Sequence, residues 1–359
     1  TISNERAHRG RNSLMSVKSY AVILLTGALS ACQQSPAPVK ASLGEGWQLV
    51  WQDEFSQNDL DLTKWQHEVN CRGGGNDEQQ CYTARSENSF VKDGLLHIVA
   101  RQEQYTGPLH NSDEVSSDVE REKQATQPFT SARLRTKNLA DWRYGRFEIR
   151  AKLPAGQGAW PAIWMLPTDW RYGRWASSGE IDIMEAVNLK TLTDDKTAPA
   201  GSLETRVHGT LHYGGPAPKN VYSGTPYRFS EAHNPADNFH VYALEWQQDE
   251  IRWYVDDVHY ATFRHDQWYS TSQQQDGSFI ENTGFAPFDQ RFHLLLNFAV
   301  GGNWPANVND KGVDFAGYPK QMLVDYVRVF QCSKNSETGI GCATKQPSAV
   351  QIKGKTNPQ

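Results

Sequence analysis

Apolar and polar side chains alternate along most of the chain, and the helical period is nearly absent. Residues Gly94–Arg101, Gly145–Lys152, Phe239–Trp246, Glu250–Asp256 and Val324–Phe330 all follow this pattern. Each reads as a strand with one face on a core. Asp256-Asp257 continues as a turn into Tyr260–Phe263, so residues 250–263 read as a hairpin. Gly, Pro and Asn separate many short runs of this kind, and the sequence has no internal repeat. The pattern predicts an all-β sandwich. The polar stretch Thr106–Thr126 reads as a surface loop. The stretch beyond Cys342, rich in Lys, Gln, Pro, Ser and Asn, has little to bury and reads as a mobile tail.

One run carries an unusual load of charge. Glu180-Ile-Asp-Ile-Met-Glu185 follows Ser178-Gly179 and sets three carboxylates among Ile and Met. Burying an unpaired carboxylate is expensive, so three on one apolar strand mark a site. Strand parity puts Glu180 and Asp182 on one face but points Glu185 away. One extra residue, a β-bulge at about Met184, returns Glu185 to the face of the other two. The outer carboxylates then flank a central Asp, an arrangement suited to glycoside hydrolysis. A solvated acidic edge strand or a calcium site are the competing readings. The first needs polar residues where Ile181, Ile183 and Met184 stand, and calcium loops carry Gly, Asn and Asp at turn spacing. Catalysis is the favoured reading.

Composition narrows the partners. The net charge of −5 leaves no basic footprint for nucleic acid. The 12 Trp and 14 Tyr exceed what a core needs, and flat aromatic faces suit sugar rings, although about half belong to the core. Met15–Lys18, the apolar Ala21–Leu25 and Leu29-Ser-Ala-Cys32 read as an export signal too short to span a bilayer. Leu-Ser-Ala-Cys resembles a bacterial lipobox with Cys32 as the lipidated residue, and Gln33 after it fits outer-membrane retention. Plain secretion is the alternative. Residues 1–14 are read as an upstream extension, 15–32 as the signal and 33–44 as a linker. Without Cys32 four cysteines remain, an even count in an exported protein. Three pairings are possible; sequence proximity favours Cys71–Cys81 and Cys332–Cys342.

Around the carboxylates stand Trp160-Pro-Ala-Ile-Trp-Met-Leu-Pro167, His208-Gly-Thr-Leu-His-Tyr-Gly-Gly215 and Leu294–Pro305. Trp51-Gln-Asp-Glu-Phe55 and Leu323–Val329 lie near the two ends. Together with Glu180–Glu185 these segments resemble glycoside hydrolase family 16, in the bulged form typical of laminarinases. The similarity spans about residues 45–332, which sets the catalytic domain, with 333–359 as the tail. It implies a β-jelly roll of two curved antiparallel sheets, concanavalin-like, with a concave substrate cleft.

The resemblance also implies roles. Glu180 is the expected nucleophile, Glu185 the acid/base and Asp182 the modulator of both, in a retaining hydrolysis of β-1,3-glucan. His212 faces the acid/base region, and Trp160, Trp164 and Trp175 line the glycone subsites. Asn76 lies in Gly75–Tyr82, which resembles an Asn-x-Glu-x-Gln-x-Tyr loop that contacts glucose hydroxyls, and Arg133 matches an arginine near the cleft. No cofactor is expected for catalysis. The resemblance further implies a structural calcium ion on the convex side, away from catalysis, held by backbone oxygens near the first strand and a late Asp, at Glu54, Gly94 and Asp325. The expected partners are a β-glucan and, through the anchor, a membrane; the expected state is a monomer. Mixed-linkage glucanase, agarase or carrageenase activity and a non-catalytic glucan-binding lectin are the alternatives.

Overall fold

In the computed structural model, which describes residues 44–355, two β-sheets carry nearly all the regular structure. Among the described residues the α-helix is limited to Asp118–Arg121, with four short 3-10 turns. The smaller sheet has seven antiparallel strands. In spatial order they are Asn220–Arg228, Arg206–Gly214, Glu180–Glu185, Ala159–Pro167, Phe292–Val300, Arg133–Arg135 and Gln66–Glu68. The larger sheet has eleven, among them Gly145–Lys152, His240–Gln247, Glu250–Val255, Val258–Arg264 and Lys320–Cys332. It is antiparallel except for two short pairings, Gln80–Tyr82 with Phe129–Ser131 and Val350–Gln351 with Ala261–Thr262. Two packed, largely antiparallel sheets are the all-β sandwich that the alternation predicted, in the jelly-roll form that the family resemblance implied. The hairpin also forms where expected, turning at Asp256 and Asp257, both in the left-handed region.

The core lies between the sheets and is built by parity. Ile163, Met165, Ile181, Leu211, Leu294, Leu296 and Phe298 from the small sheet are buried against Phe147, Ile149, Leu244, Trp246, Ile251 and Trp253 from the large one. Burying each such side chain contributes about 1.5–3 kcal/mol. The other face of the small sheet stays open: Trp160, Trp164, Glu180, Glu185, His208, Thr210 and His212 are only partly covered.

Two stretches differ from the sequence reading. The polar segment 106–126 is shorter as a loop, because the strands Leu95–Pro108 and Gln124–Ser131 continue into it. What remains folds back on the small sheet: Asp113 pairs with Arg135 at 2.7 Å and Lys137 at 2.9 Å. The segment after Cys342 is packed rather than mobile as far as Lys355. Tyr254 Oη donates to the Thr344 carbonyl at 2.6 Å, and Lys345 pairs with Glu250 at 2.8 Å. Beyond them Val350–Gln351 adds a strand, and Ile352 is buried. The segment covers the outer face of the large sheet, where Arg146, Glu148, Glu245 and Arg252 form an ion-pair network. A polar stretch is held there by hydrogen bonds and charge, not by apolar area. Both disulfides join the pairs favoured by proximity, Cys71–Cys81 and Cys332–Cys342.

Candidate active site

Three neighbouring strands make the floor. Glu180 stands opposite His212, Asp182 opposite Thr210 and Glu185 opposite His208. On the other side Asp182 faces Trp164, but Met184 faces Ile163 and Glu185 faces Ala162. The register therefore slips by one residue between Asp182 and Met184, the bulge that parity required. Ile183 and Met184 are both buried, and Glu180 and Glu185 share the open face. Just before the strand, Gly179 has φ +82°, and a Cβ there would lie 2.8 Å from Phe288. Only glycine admits the chain at that point.

Each outer carboxylate is held by an indole. Trp175 Nε1 donates to Glu180 Oε2 at 2.7 Å, and Trp160 Nε1 to Glu185 Oε1 at 2.9 Å. Asp182 is almost fully buried, with His212 Nε2 3.2 Å from its Oδ2 and 3.6 Å from Glu180 Oε1. Burial, and then the charge of Asp182, pushes the Glu180 carboxyl up to about 8 and that of Glu185 well above the usual carboxylate range. Both carboxyls are therefore held toward the protonated form, with His212 opposing the rise at each. The two histidines diverge. Burial alone would lower His212, but Glu180, Asp182 and Glu185 outweigh it and raise the imidazole to about 10. Burial, then the Arg206 charge, lowers His208 to about 4, so a neutral ring stands opposite the acid.

The bank toward Arg133 is a continuous hydrogen-bonded chain. Asn76 Nδ2 and Gln80 Nε2 donate to Glu78 at 3.1 and 2.7 Å. Asn297 Nδ2 donates to Tyr82 Oη at 3.1 Å, and Trp164 Nε1 to Asn297 Oδ1 at 2.6 Å. Arg133 is buried beneath this bank, paired with Glu68 at 3.1 Å and stacked on Tyr82 and Trp164 at 4.5 and 5.2 Å. The residues expected at the site thus gather around one face of the small sheet. By register Arg133 shares the side of the sheet that carries Asn297 and Trp164, but it is covered by the bank and paired with Glu68 instead of lying open as a ligand contact.

Other residues were missed by sequence reasoning. Trp304 packs edge-on against Trp160 at 5.6 Å and His208 at 5.0 Å. Tyr222, 64 % exposed, stands opposite His212 with the rings 5.8 Å apart. Trp304 could have been found from its place in the Gly-Gly-Asn-Trp-Pro run, whereas Tyr222 sits in a strand with no clean alternation.

Around the expected calcium position, Arg328 grips both side-chain oxygens of Glu54 at 2.8 Å, and Arg150 pairs with Asp325. These pairings engage side chains and do not involve the backbone oxygens of Glu54 and Gly94, on which the expected site rests. Among the described residues, Glu180, Asp182 and His212 do place ligand atoms within 4.8 Å of one another. Those three are the nucleophile candidate and its two neighbours at the centre of the floor. Cys32 lies outside the described residues.

Comparison with known proteins agrees with this geometry. The model of glycosyl hydrolases family 16 matches residues 76–282. The chain is 42% identical over 291 residues to a beta-glucanase of Rhodothermus marinus, covering 79% of this chain and 85% of that one. The chain belongs to this family. It is also 40% identical over 294 residues to glucan endo-1,3-beta-glucosidase A1 of Niallia circulans, covering 80% of this chain but only 38% of that longer protein. Among solved structures, the laminarinase from Rhodothermus marinus superposes with a TM-score of 0.59 at 40% identity, over 79% of this chain and 97% of that one. Family membership, the glucanase relatives and the presence of Glu180, Asp182 and Glu185 together make the protein a glycoside hydrolase.

Proposed function

We propose that the protein is an endo-acting β-1,3-glucanase that cleaves laminarin-type glucans with retention of configuration. The observation that carries this is the bulge, which sets Glu180 and Glu185 on one open face with Asp182 between them. Glu180, its Oε2 held by Trp175, attacks the anomeric carbon. Glu185 gives its proton to the departing glycosidic oxygen, and a glycosyl ester forms on Glu180. Glu185, now ionised, takes a proton from water, whose oxygen attacks the same carbon and frees Glu180. The charged His212, held by Asp182, steadies the Glu180 carboxylate before attack and as it is released.

Aromatic and polar side chains lie on both sides of the carboxylates, Trp164 and Asn76 on one bank, Trp304 and Tyr222 elsewhere around the floor. That layout suits a polymer lying across the sheet, hence endo cleavage. Export through the N-terminal signal, with Cys32 lipidated, would place the enzyme where polymeric glucan is met; Cys32→Ala should release it from membranes.

Reducing-sugar release and viscosity loss on laminarin, lichenan, agarose and carrageenan test the substrate. Laminarin should rank first, with viscosity falling early. Strong activity on agarose with none on laminarin would overturn the reading. Glucan affinity without turnover would point to a lectin.

A further inference from the structure

The bulge is supported from the opposite sheet. Trp253, fully buried in Glu250–Val255, donates its Nε1 to the main-chain carbonyl of Asp182 at 2.8 Å. In a regular ladder a carbonyl points within the sheet toward the next strand. This one meets a donor from across the core, at the residue where the register begins to slip. A bulge disturbs the ladder locally, and a backbone acceptor turned into an apolar core needs a partner.

The space for that partner is provided separately. Gly209, on the core side of Arg206–Gly214, has no side chain, and a Cβ there would lie 2.4 Å from Trp253 Cδ1 and 2.7 Å from its Nε1. Any other residue would push the indole away from the carbonyl.

We propose that Trp253 is a positioning residue for the reaction: its N–H, admitted by Gly209, fixes the extra residue of the bulge and so keeps Glu185 on the open face. Without that bond the regular ladder is favoured, and its period of two turns Glu185 toward the core. This inference rests on Glu185 being the acid/base.

Trp246 supplies a matched control, since it is equally buried and its Nε1 donates to the Phe288 carbonyl at 3.0 Å, away from the bulge. The test compares Trp253→Phe, Gly209→Ala and Trp246→Phe for Tm, kcat, KM and pH profile on laminarin. Trp253→Phe and Gly209→Ala should each lower kcat about 100-fold, the scale of a misplacement of about 1 Å at a reacting group, with little change in KM. Both should also move the alkaline limb that Glu185 sets. Trp246→Phe should lower Tm to a similar extent and keep kcat. If Trp253→Phe does not fold, Gly209→Ala carries the comparison. Loss of kcat in step with Tm across all three variants would overturn the inference. So would a crystal structure of either bulge variant with Glu185 still on the open face. A wild type inert on laminarin would instead count against the proposed function, and the crystal structure alone would then decide this point.

Discussion

Replacing Glu180 with Gln should abolish turnover and, at alkaline pH, make the fold more stable. The Glu180 side chain is only 15% exposed, and burial together with Asp182 raises its carboxyl from 4.5 to about 8. The unfolded chain loses this proton near 4.5, so between those values the folded protein binds the extra proton. The stability this group contributes is therefore full below 4.5 and is lost as pH rises through about 8. Ionising Glu180 in the folded state above that pH costs about 5 kcal/mol at 1.36 kcal/mol per pH unit. The charge of His212 is already contained in that value, since it opposes the rise caused by burial and Asp182. Gln removes the cost; relaxation and water entry around the wild-type carboxylate reduce the gain to about 2 kcal/mol at pH 8.5. In a domain of this size that corresponds to a Tm increase of about 4 °C. Urea unfolding followed by Trp fluorescence at pH 5 and 8.5 reads it, and the gain should vanish at pH 5. A variant that is inactive yet no more stable than the wild type at pH 8.5 would refute the electrostatic account.

Three further outcomes follow from the same contacts. Trp160→Phe removes a bond that favours ionised Glu185, so the alkaline limb of kcat/KM should move upward by about one pH unit, since a hydrogen bond to a charged group contributes about 1.5–3 kcal/mol; an unmoved limb would deny Glu185 the acid role. Glu185→Ala should lose about 10²–10⁴-fold on laminarin, where the leaving oxygen needs a proton, and far less in glycosylation by an aryl glycoside with a good leaving group; equal losses would contradict it. Ending the chain after Ala343 strips Thr344 from buried Glu245 and Lys345 from buried Glu250, and should destabilise the fold by about 3–5 kcal/mol in urea titration; an unchanged midpoint would mean that the segment is dispensable.

The site was legible in the sequence because its irregularity is chemical as well as geometric. Three carboxylates among Ile and Met cannot be ordinary strand surface, and their odd spacing left a bulge as the way to unite them. The β-sandwich followed from alternation, and the resemblance to family 16 supplied the jelly-roll form. What alternation does not say is what covers the second face of a strand. Arg146, Glu148, Glu245 and Arg252 occupy positions that parity assigns to solvent, yet the segment after Cys342 buries them. That segment carries few apolar residues, so nothing in its composition announced that it would pack. Trp253 was hidden for the opposite reason. A Trp on a core-facing position needs no explanation until its N–H is seen to reach a strand 71 residues away.

The central claim is that Glu180 forms a covalent bond to the sugar. Incubation with a 2-deoxy-2-fluoro-β-laminaribiosyl fluoride, followed by intact-mass measurement and peptide mapping, tests it most directly. One laminaribiosyl adduct per chain, located on Glu180, is the result this account requires. An adduct on Asp182 or Glu185, or none together with a product released first as the α-anomer, would contradict it.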